Sequence, residues 1–176
     1  MSDRITELIS EEKIENRIRE MAKQIEKDYE GKDVLFICTL RGASFFACEL
    51  AKRTNLPINI DFIAVKSYGM SSQSSGNVKM IKDLDEDIAG KDVLVIEDIV
   101  DTGRTLSYLM ENLKKRNPAS IKLCALLDKP ARRVVPIDAD YVGFKIEDLF
   151  VVGYGLDYAQ KYRNLPFVGV VEIEGE

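Results

Sequence analysis

The sequence predicts an α/β fold, a mostly parallel twisted sheet flanked by helices. Short apolar runs alternate with stretches whose apolar residues recur at helical spacing, which is the pattern of strand-helix-strand units. The pentapeptide Gly31-Lys32-Asp33-Val34-Leu35 recurs as Gly90-Lys91-Asp92-Val93-Leu94, and each copy leads into an apolar strand, a turn with one glycine, and a helix. The 176 residues suit one domain spanning 1–176. A chain of this size buries roughly 70% of the surface its unfolded form exposes, enough for a self-sufficient core.

The elements follow in order. Ser10 is placed to cap a helix, with Glu11 and Glu12 in its first turn, where acids favour the helix dipole. Ile14, Ile18, Met21 and Ile25 then mark one buried stripe. Asp33–Thr39 reads as a strand buried on both faces, followed by a turn and the helix Ser44–Arg53. Ile58–Ser67 alternates, residues 68–77 are rich in Ser and Gly, and Val78–Ile81 resumes an extended run, so this region predicts a long hairpin-like excursion with a mobile tip. After the second copy of the repeat, Leu106, Leu109, Met110 and Leu113 define a helix that stops before Pro118. Ile121–Leu127, Tyr141–Phe144 and Val168–Ile173 are the remaining strands.

Composition excludes several classes of function. The net charge of −5 offers no electrostatic footprint for nucleic acid or an anionic membrane. No apolar run approaches the roughly 20 residues of a membrane span, and Met1–Arg4 lacks a signal peptide's apolar stretch, so a cytoplasmic protein is expected. Cys38, Cys48 and Cys124 are far apart among apolar neighbours and read as buried small hydrophobes. There is no histidine, which removes Ser-His-Asp and Cys-His chemistry and every His-ligated metal. Acid–base work falls to carboxylates, lysines or tyrosines, and a metal must be hard and oxygen-ligated, like Mg²⁺.

In open α/β sheets ligands bind beyond the carboxyl ends of the strands. The two repeated units place two turns at that edge, each leading into a helix N-terminus with free N–H groups. The second turn is the informative one. It follows Glu97 and Asp98, which point to opposite sides of an extended strand and so are expected to hold hydroxyls or a metal-bound ligand rather than act as a paired dyad. Asp101-Thr102-Gly103-Arg104-Thr105 then supplies a glycine for close backbone approach, two hydroxyls and a helix start, the parts of a phosphate cradle. One acid here could be a cap; three acids within five positions need another reason. The segment lacks the Gly-Lys-Ser/Thr ending of a nucleotide P-loop and the spaced glycines of a dinucleotide site.

Glu97-Asp98-Ile99-Val100-Asp101-Thr102-Gly103-Arg104-Thr105 resembles the phosphoribosyl-pyrophosphate signature of the phosphoribosyltransferases. Leu40-Arg41-Gly42-Ala43 resembles that family's pyrophosphate loop, with Arg41 where Lys is frequent and Ala43 where Gly is frequent. Ser67-Tyr68 resembles the start of its closing lid, at about 67–78. Leu127-Asp128-Lys129-Pro130 resembles its purine-reading segment. Phe150 to Tyr158 resembles the base-stacking and metal segment, with Arg163 at the family's spacing. The resemblance runs from about residue 30 to the end and points to the hypoxanthine-guanine branch.

It implies a type I phosphoribosyltransferase fold with a small C-terminal hood over the base. It implies that Thr102, Gly103, Arg104 and Thr105 cradle the ribose 5-phosphate, that Glu97 and Asp98 bind the ribose hydroxyls, and that Asp101 helps move the purine proton. Leu40, Arg41, Gly42 and Arg163 are implied to bind pyrophosphate, with the Leu40–Arg41 peptide often cis. Lys129, Phe150, Val151 and Asp157 are implied to bind the base, and Glu97, Asp98 and Asp157 to support Mg²⁺. The implied partners are phosphoribosyl pyrophosphate and 6-oxopurine bases in a homodimer or homotetramer, with no nucleic acid and no membrane. Without the resemblance, Lys129 reads as a solvated lysine, Phe150 as a core aromatic, and Asp157 with Arg163 as a surface ion pair of little worth. Two other classes compete: a regulatory protein of the same fold that binds nucleic acid, against which the acidic balance speaks, and a transferase whose main base is xanthine.

Overall fold

The computed structural model describes residues 4–68 and 77–172. Helix α1 (Glu11–Asp28) starts where Ser10 Oγ accepts the Lys13 N–H at 3.3 Å, and it buries Ile14, Ile18, Met21, Ala22 and Ile25. Strand β2 (Val34–Thr39) is buried at every position, which a sheet covered on both faces requires. It leads into α2 (Ala43–Lys52). Strands β3 (Ile58–Tyr68) and β4 (Asn77–Lys82) form the expected hairpin, whose tip at 69–76 lies outside the described residues. The lid implied at 67–78 falls mostly on that segment. Strand β5 (Asp92–Val100), α3 (Arg104–Lys114), β6 (Ser120–Asp128) and β7 (Tyr141–Lys145) complete the main sheet.

That sheet runs β4-β3-β2-β5-β6-β7, with β4 alone antiparallel. One face carries Phe36, Cys38, Leu94 and Ile96 against α1 and α2; the other carries Ile37, Val93, Val95 and Leu123 against α3. Chain order reverses between β2 and β5. From β2 the chain moves outward to β3, then returns to β5 and proceeds the other way. The carboxyl ends of β2 and β5 therefore border the crevice where ligands bind in such sheets.

The internal repeat is not a structural equivalence. Val34 pairs with Asp92 and Leu35 with Val93, one residue out of step with the repeat. A one-residue offset reverses the face of every side chain, so Val34 and its counterpart Val93 lie in opposite halves of the core.

A separate three-stranded antiparallel sheet, β1-β9-β8, is built from β1 (Arg4–Ile9), β8 (Val151–Val152) and β9 (Val168–Glu172). Its buried residues Val151 and Val168 join the core on the α1 and α2 side. The sequence reading expected no strand before Ser10. Cys48 is also a correction: it is exposed, because the buried stripe of α2 runs through Ala43, Phe46, Ala47 and Leu50 and leaves position 48 outside. Cys38 and Cys124 are buried as expected.

Candidate active site

A cleft of about 300 Å³ opens at the carboxyl ends of β2 and β5, lined by Thr39, Leu40, Glu97, Asp101, Thr102 and Thr105 among others. Glu97 lines it, and Asp98, the next residue of β5, lies against Gly42 of the neighbouring turn. Glu97 folds back so that its Oε1 accepts the Asp98 N–H at 3.1 Å and the Thr39 hydroxyl at 2.8 Å. Asp98 Oδ1 accepts the Ile99 N–H at 2.8 Å. Burial pushes both carboxyls up. Glu97 lies well above the ordinary carboxylate range, with the charge of Asp98 adding to the effect, while the hydrogen bond from Glu97 and the Arg163 guanidinium pull Asp98 back. The two acids therefore interact, correcting the expectation that adjacent strand positions keep them apart. Burial also pushes the neighbouring Cys38 thiol up to about 12, which keeps it unreactive.

The wall of the cleft is the turn into α3. Gly103 sits at φ +85° as the N-cap residue, a conformation that favours glycine, and the Thr102 hydroxyl lies 3.5 Å from the first N–H of the helix, that of Arg104. No acid occupies the first turn. The free N–H groups at this helix start, flanked by the Thr102 and Thr105 hydroxyls, make a cradle for an oxyanion. Glycine is also required for space: a Cβ at 103 would lie 2.7 Å from the Val135 carbonyl oxygen. That contact comes from the 3₁₀ turn Pro130–Arg132 and the chain beyond it, where the Val134 and Val135 N–H groups both donate to the Thr102 carbonyl. Asp101 is half-exposed at the mouth, with its Oδ1 3.3 Å from Arg132 Nε.

Opposite the cradle, the β2-to-α2 turn carries Leu40, Arg41 and Gly42, with a cis peptide between Leu40 and Arg41. Gly42 packs against Asp98 and the Gly155 carbonyl without room for a side chain. Arg163 pairs with Asp157 at 2.9 Å and donates to the Gly155 carbonyl at 2.7 Å. Gln160 Oε1 accepts from both Arg163 and Arg41, so a chain of polar contacts joins the two arginines implied for pyrophosphate.

At the end of β6, Lys129 is buried, 7% exposed, and its ammonium makes no hydrogen bond or ion pair among the described residues. The side chain is therefore largely enclosed by the protein, unlike the fully solvated lysine of the bare sequence. Phe150 is 48% exposed and meets Tyr158 edge-on at 5.6 Å, so it is an open aromatic platform rather than a core side chain. Val151 is buried in β8 beside it. Asp128, also buried, is held by a close ion pair with Arg133, whose other nitrogen donates to the Asp101 carbonyl at 2.6 Å. A larger depression of about 470 Å³ lies apart, between α1, α2 and residues 164–166; Glu11, Glu15 and Glu49 line it, which does not suit an anionic substrate.

The family model for the phosphoribosyl transferase domain matches residues 5–159. The chain belongs to this family. It is 52% identical over 167 residues to the bifunctional protein TilS/HprT of Listeria monocytogenes serotype 4b, a match covering 95% of this chain and 26% of that protein. It is 50% identical over 167 residues to the hypoxanthine-guanine phosphoribosyltransferase of Streptococcus thermophilus, covering 95% of this chain and 93% of that one. A crystal structure of a hypoxanthine-guanine phosphoribosyltransferase from Bacillus anthracis matches with a TM-score of 0.90 at 45% identity, over 97% of this chain and 100% of that chain. The chain thus spans about a quarter of its bifunctional relatives and nearly all of its stand-alone ones.

For a phosphoribosyl transferase domain the metal question turns on donors. Among the described residues no group of three or more acidic or cysteine side chains forms a metal cage. Mg²⁺ suits such a site, since it keeps several waters and takes typically about one or two carboxylates together with substrate phosphates. Glu97, Asp98 and Asp157 are the oxygen donors that fit. Both oxygens of Asp157 already accept protein donors, Arg163 and the Gln160 N–H, which leaves lone pairs for a metal-bound water. Three residues of this transferase domain escaped the sequence reading: Thr39, Arg133 and Gln160. The basic pair Arg132-Arg133, directly after a buried strand ending in Asp128, was the available signal for the second.

Proposed function

We propose that this chain transfers the phosphoribosyl group of phosphoribosyl pyrophosphate to hypoxanthine or guanine, giving IMP or GMP and pyrophosphate, in purine salvage. The observation that carries the reading is the arrangement along the carboxyl edge of β2, β5 and β6: the α3 cradle, the buried Glu97 and Asp98, and the largely enclosed Lys129 that follows β6. Relatives named hypoxanthine-guanine phosphoribosyltransferase support it.

The roles follow from chemistry. The α3 N-terminus with Thr102 to Thr105 holds the ribose 5-phosphate. Glu97 and Asp98 accept from the ribose hydroxyls. The Leu40-Arg41-Gly42 turn and Arg163 hold pyrophosphate. The base lies on Phe150, with Lys129 donating to O6, the Val151 carbonyl accepting from N1–H, and Asp157 at the same end of the pocket. As the bond from C1 of the ribose to pyrophosphate breaks and the bond to N9 forms, Asp101 accepts the purine proton at N7. Arg163 meets the negative charge that builds on the leaving group. Glu97, Asp98 and Asp157 would hold Mg²⁺, which would supply neutralisation of the negative charge on the leaving group. The single-domain boundary at 1–176, the lid beginning at Ser67 and Tyr68, the cytoplasmic location and a homodimer or homotetramer belong to the same proposal.

The test is a steady-state assay with phosphoribosyl pyrophosphate and hypoxanthine, guanine, xanthine or adenine, with Mg²⁺ and with a chelator. Turnover of hypoxanthine and guanine, abolished by the chelator, is expected. No transfer to any 6-oxopurine would refute the reading, and dominant use of xanthine would move it to the neighbouring transferase.

A further inference from the structure

Thr39 ends β2 and immediately precedes the Leu40-Arg41 turn. It is a buried polar residue at the end of a strand whose other positions, Val34 to Cys38, are all apolar. Its hydroxyl lies 2.8 Å from Glu97 Oε1 and 3.1 Å from the Ile96 carbonyl oxygen. A hydroxyl has one proton to donate and two lone pairs to accept with. Facing a carboxylate, it donates to the nearer Oε1; facing a protonated Glu97, it accepts from the carboxyl and donates to Ile96. The contact therefore survives in either protonation state. Glu97 Oε1 has one other protein contact among the described residues, the N–H of Asp98 at 3.1 Å, which lies on its own strand. The hydroxyl of Thr39 is thus the tether from another element. It ties the carboxylate on β5 to the root of the turn on β2, whose Leu40 N–H is in turn fixed to the Ile63 carbonyl at 2.8 Å.

We propose that Thr39 is a positioning residue that holds the Glu97 carboxylate in place for the ribose hydroxyls and links it to the pyrophosphate turn. This rests on the transferase reading above. An anchor from another strand matters because Glu97 has three rotatable side-chain bonds and its remaining contacts, the Asp98 N–H and carboxyl, belong to the adjacent residue of its own strand. The ribose acid and the pyrophosphate turn engage neighbouring parts of one substrate, the ring hydroxyls and the group on C1, so a hydroxyl spanning their roots fixes the distance between them.

The experiment compares wild type, Thr39→Val and Thr39→Ser. Valine keeps the shape and removes the hydroxyl; serine keeps the hydroxyl. A lost hydrogen bond of ordinary net strength predicts a KM for phosphoribosyl pyrophosphate raised about five- to tenfold in Thr39→Val. KM for hypoxanthine and the melting temperature stay near wild type, and Thr39→Ser returns KM to within about twofold of wild type. Calorimetric binding of phosphoribosyl pyrophosphate with Mg²⁺, without the base, should weaken by the same factor. A Thr39→Val protein with unchanged affinity, equal losses for both substrates, or a serine variant no better than valine would each overturn the role of Thr39 while leaving the transferase reading intact. A wild-type protein that neither binds nor turns over phosphoribosyl pyrophosphate would overturn both.

Discussion

Replacing Gly42 by alanine should damage catalysis far more than folding. Gly42 has φ −58° and ψ −40°, an ordinary helical conformation, so alanine meets no backbone strain there. The effect is therefore steric. The added Cβ would lie 1.8 Å from Asp98 Oδ2 and 2.9 Å from its Cγ, where contact requires well over 3 Å. The Gly155 carbonyl oxygen 3.2 Å away bars retreat on that side, and the Ile99 N–H holds the other oxygen of Asp98. Either Asp98 turns off its rotamer or the pyrophosphate turn lifts from the hood. Such overpacking costs about 1–3 kcal/mol. For a chain of this size that loss lowers Tm by roughly 2–12 °C. The same shift moves Asp98, the carboxylate proposed to bind the ribose, by about an ångström, which costs on the order of 100-fold in kcat/KM. Calorimetric unfolding and kcat/KM for phosphoribosyl pyrophosphate separate the two effects. Gly31→Ala is the control: at φ +76° with nothing within 4 Å of an added Cβ, it should cost about 1 kcal/mol of stability and no activity. A Gly42→Ala enzyme with wild-type kcat/KM would show that Asp98 is free to move aside, and would refute the fixed acid pair.

Three further outcomes are expected. Asp101→Asn should lower kcat by about 10²- to 10⁴-fold and leave calorimetric binding of phosphoribosyl pyrophosphate nearly intact; near-normal kcat would remove Asp101 from the proton transfer. Lys129→Gln should shrink the preference for hypoxanthine over adenine, because an ammonium only donates while an amide can also accept from the adenine amino group; an unchanged ratio of kcat/KM values would show that Lys129 does not read the base. Arg133→Met leaves the Asp128 carboxylate buried without its partner, a change that costs about 3–5 kcal/mol for a buried pair, and Arg133→Met combined with Asp128→Asn should recover much of that in chemical denaturation. Full stability in the single variant would show that the pair is dispensable.

The main sheet was legible because its elements are locally encoded. The stripe Ile14, Ile18, Met21 and Ile25 and the apolar run ending at Thr39 each carry their period within a single element. The Asp101 to Thr105 segment was legible for a related reason: cradling an oxyanion takes a helix start and a glycine, and those are contiguous in the chain. Tertiary structure decided what depends on distant partners. β1 is mostly exposed and has no clean alternation, so its strand conformation comes from pairing with β9 at the other end of the chain. The repeat read as two equal units, yet register set Val34 and Val93 in opposite cores, since register is fixed by the whole sheet rather than by either strand. Burial likewise belongs to the fold. Lys129 and Phe150 read alone as a surface lysine and a core ring, and packing reversed both. The Thr39 hydroxyl on Glu97, 58 positions away, and the Arg133 bridge from Asp128 to Asp101 exist because adjacent parallel strands end at the same edge. Residue types and local spacing named the chemistry; the crossing of β2 and β5 brought its groups within bonding distance.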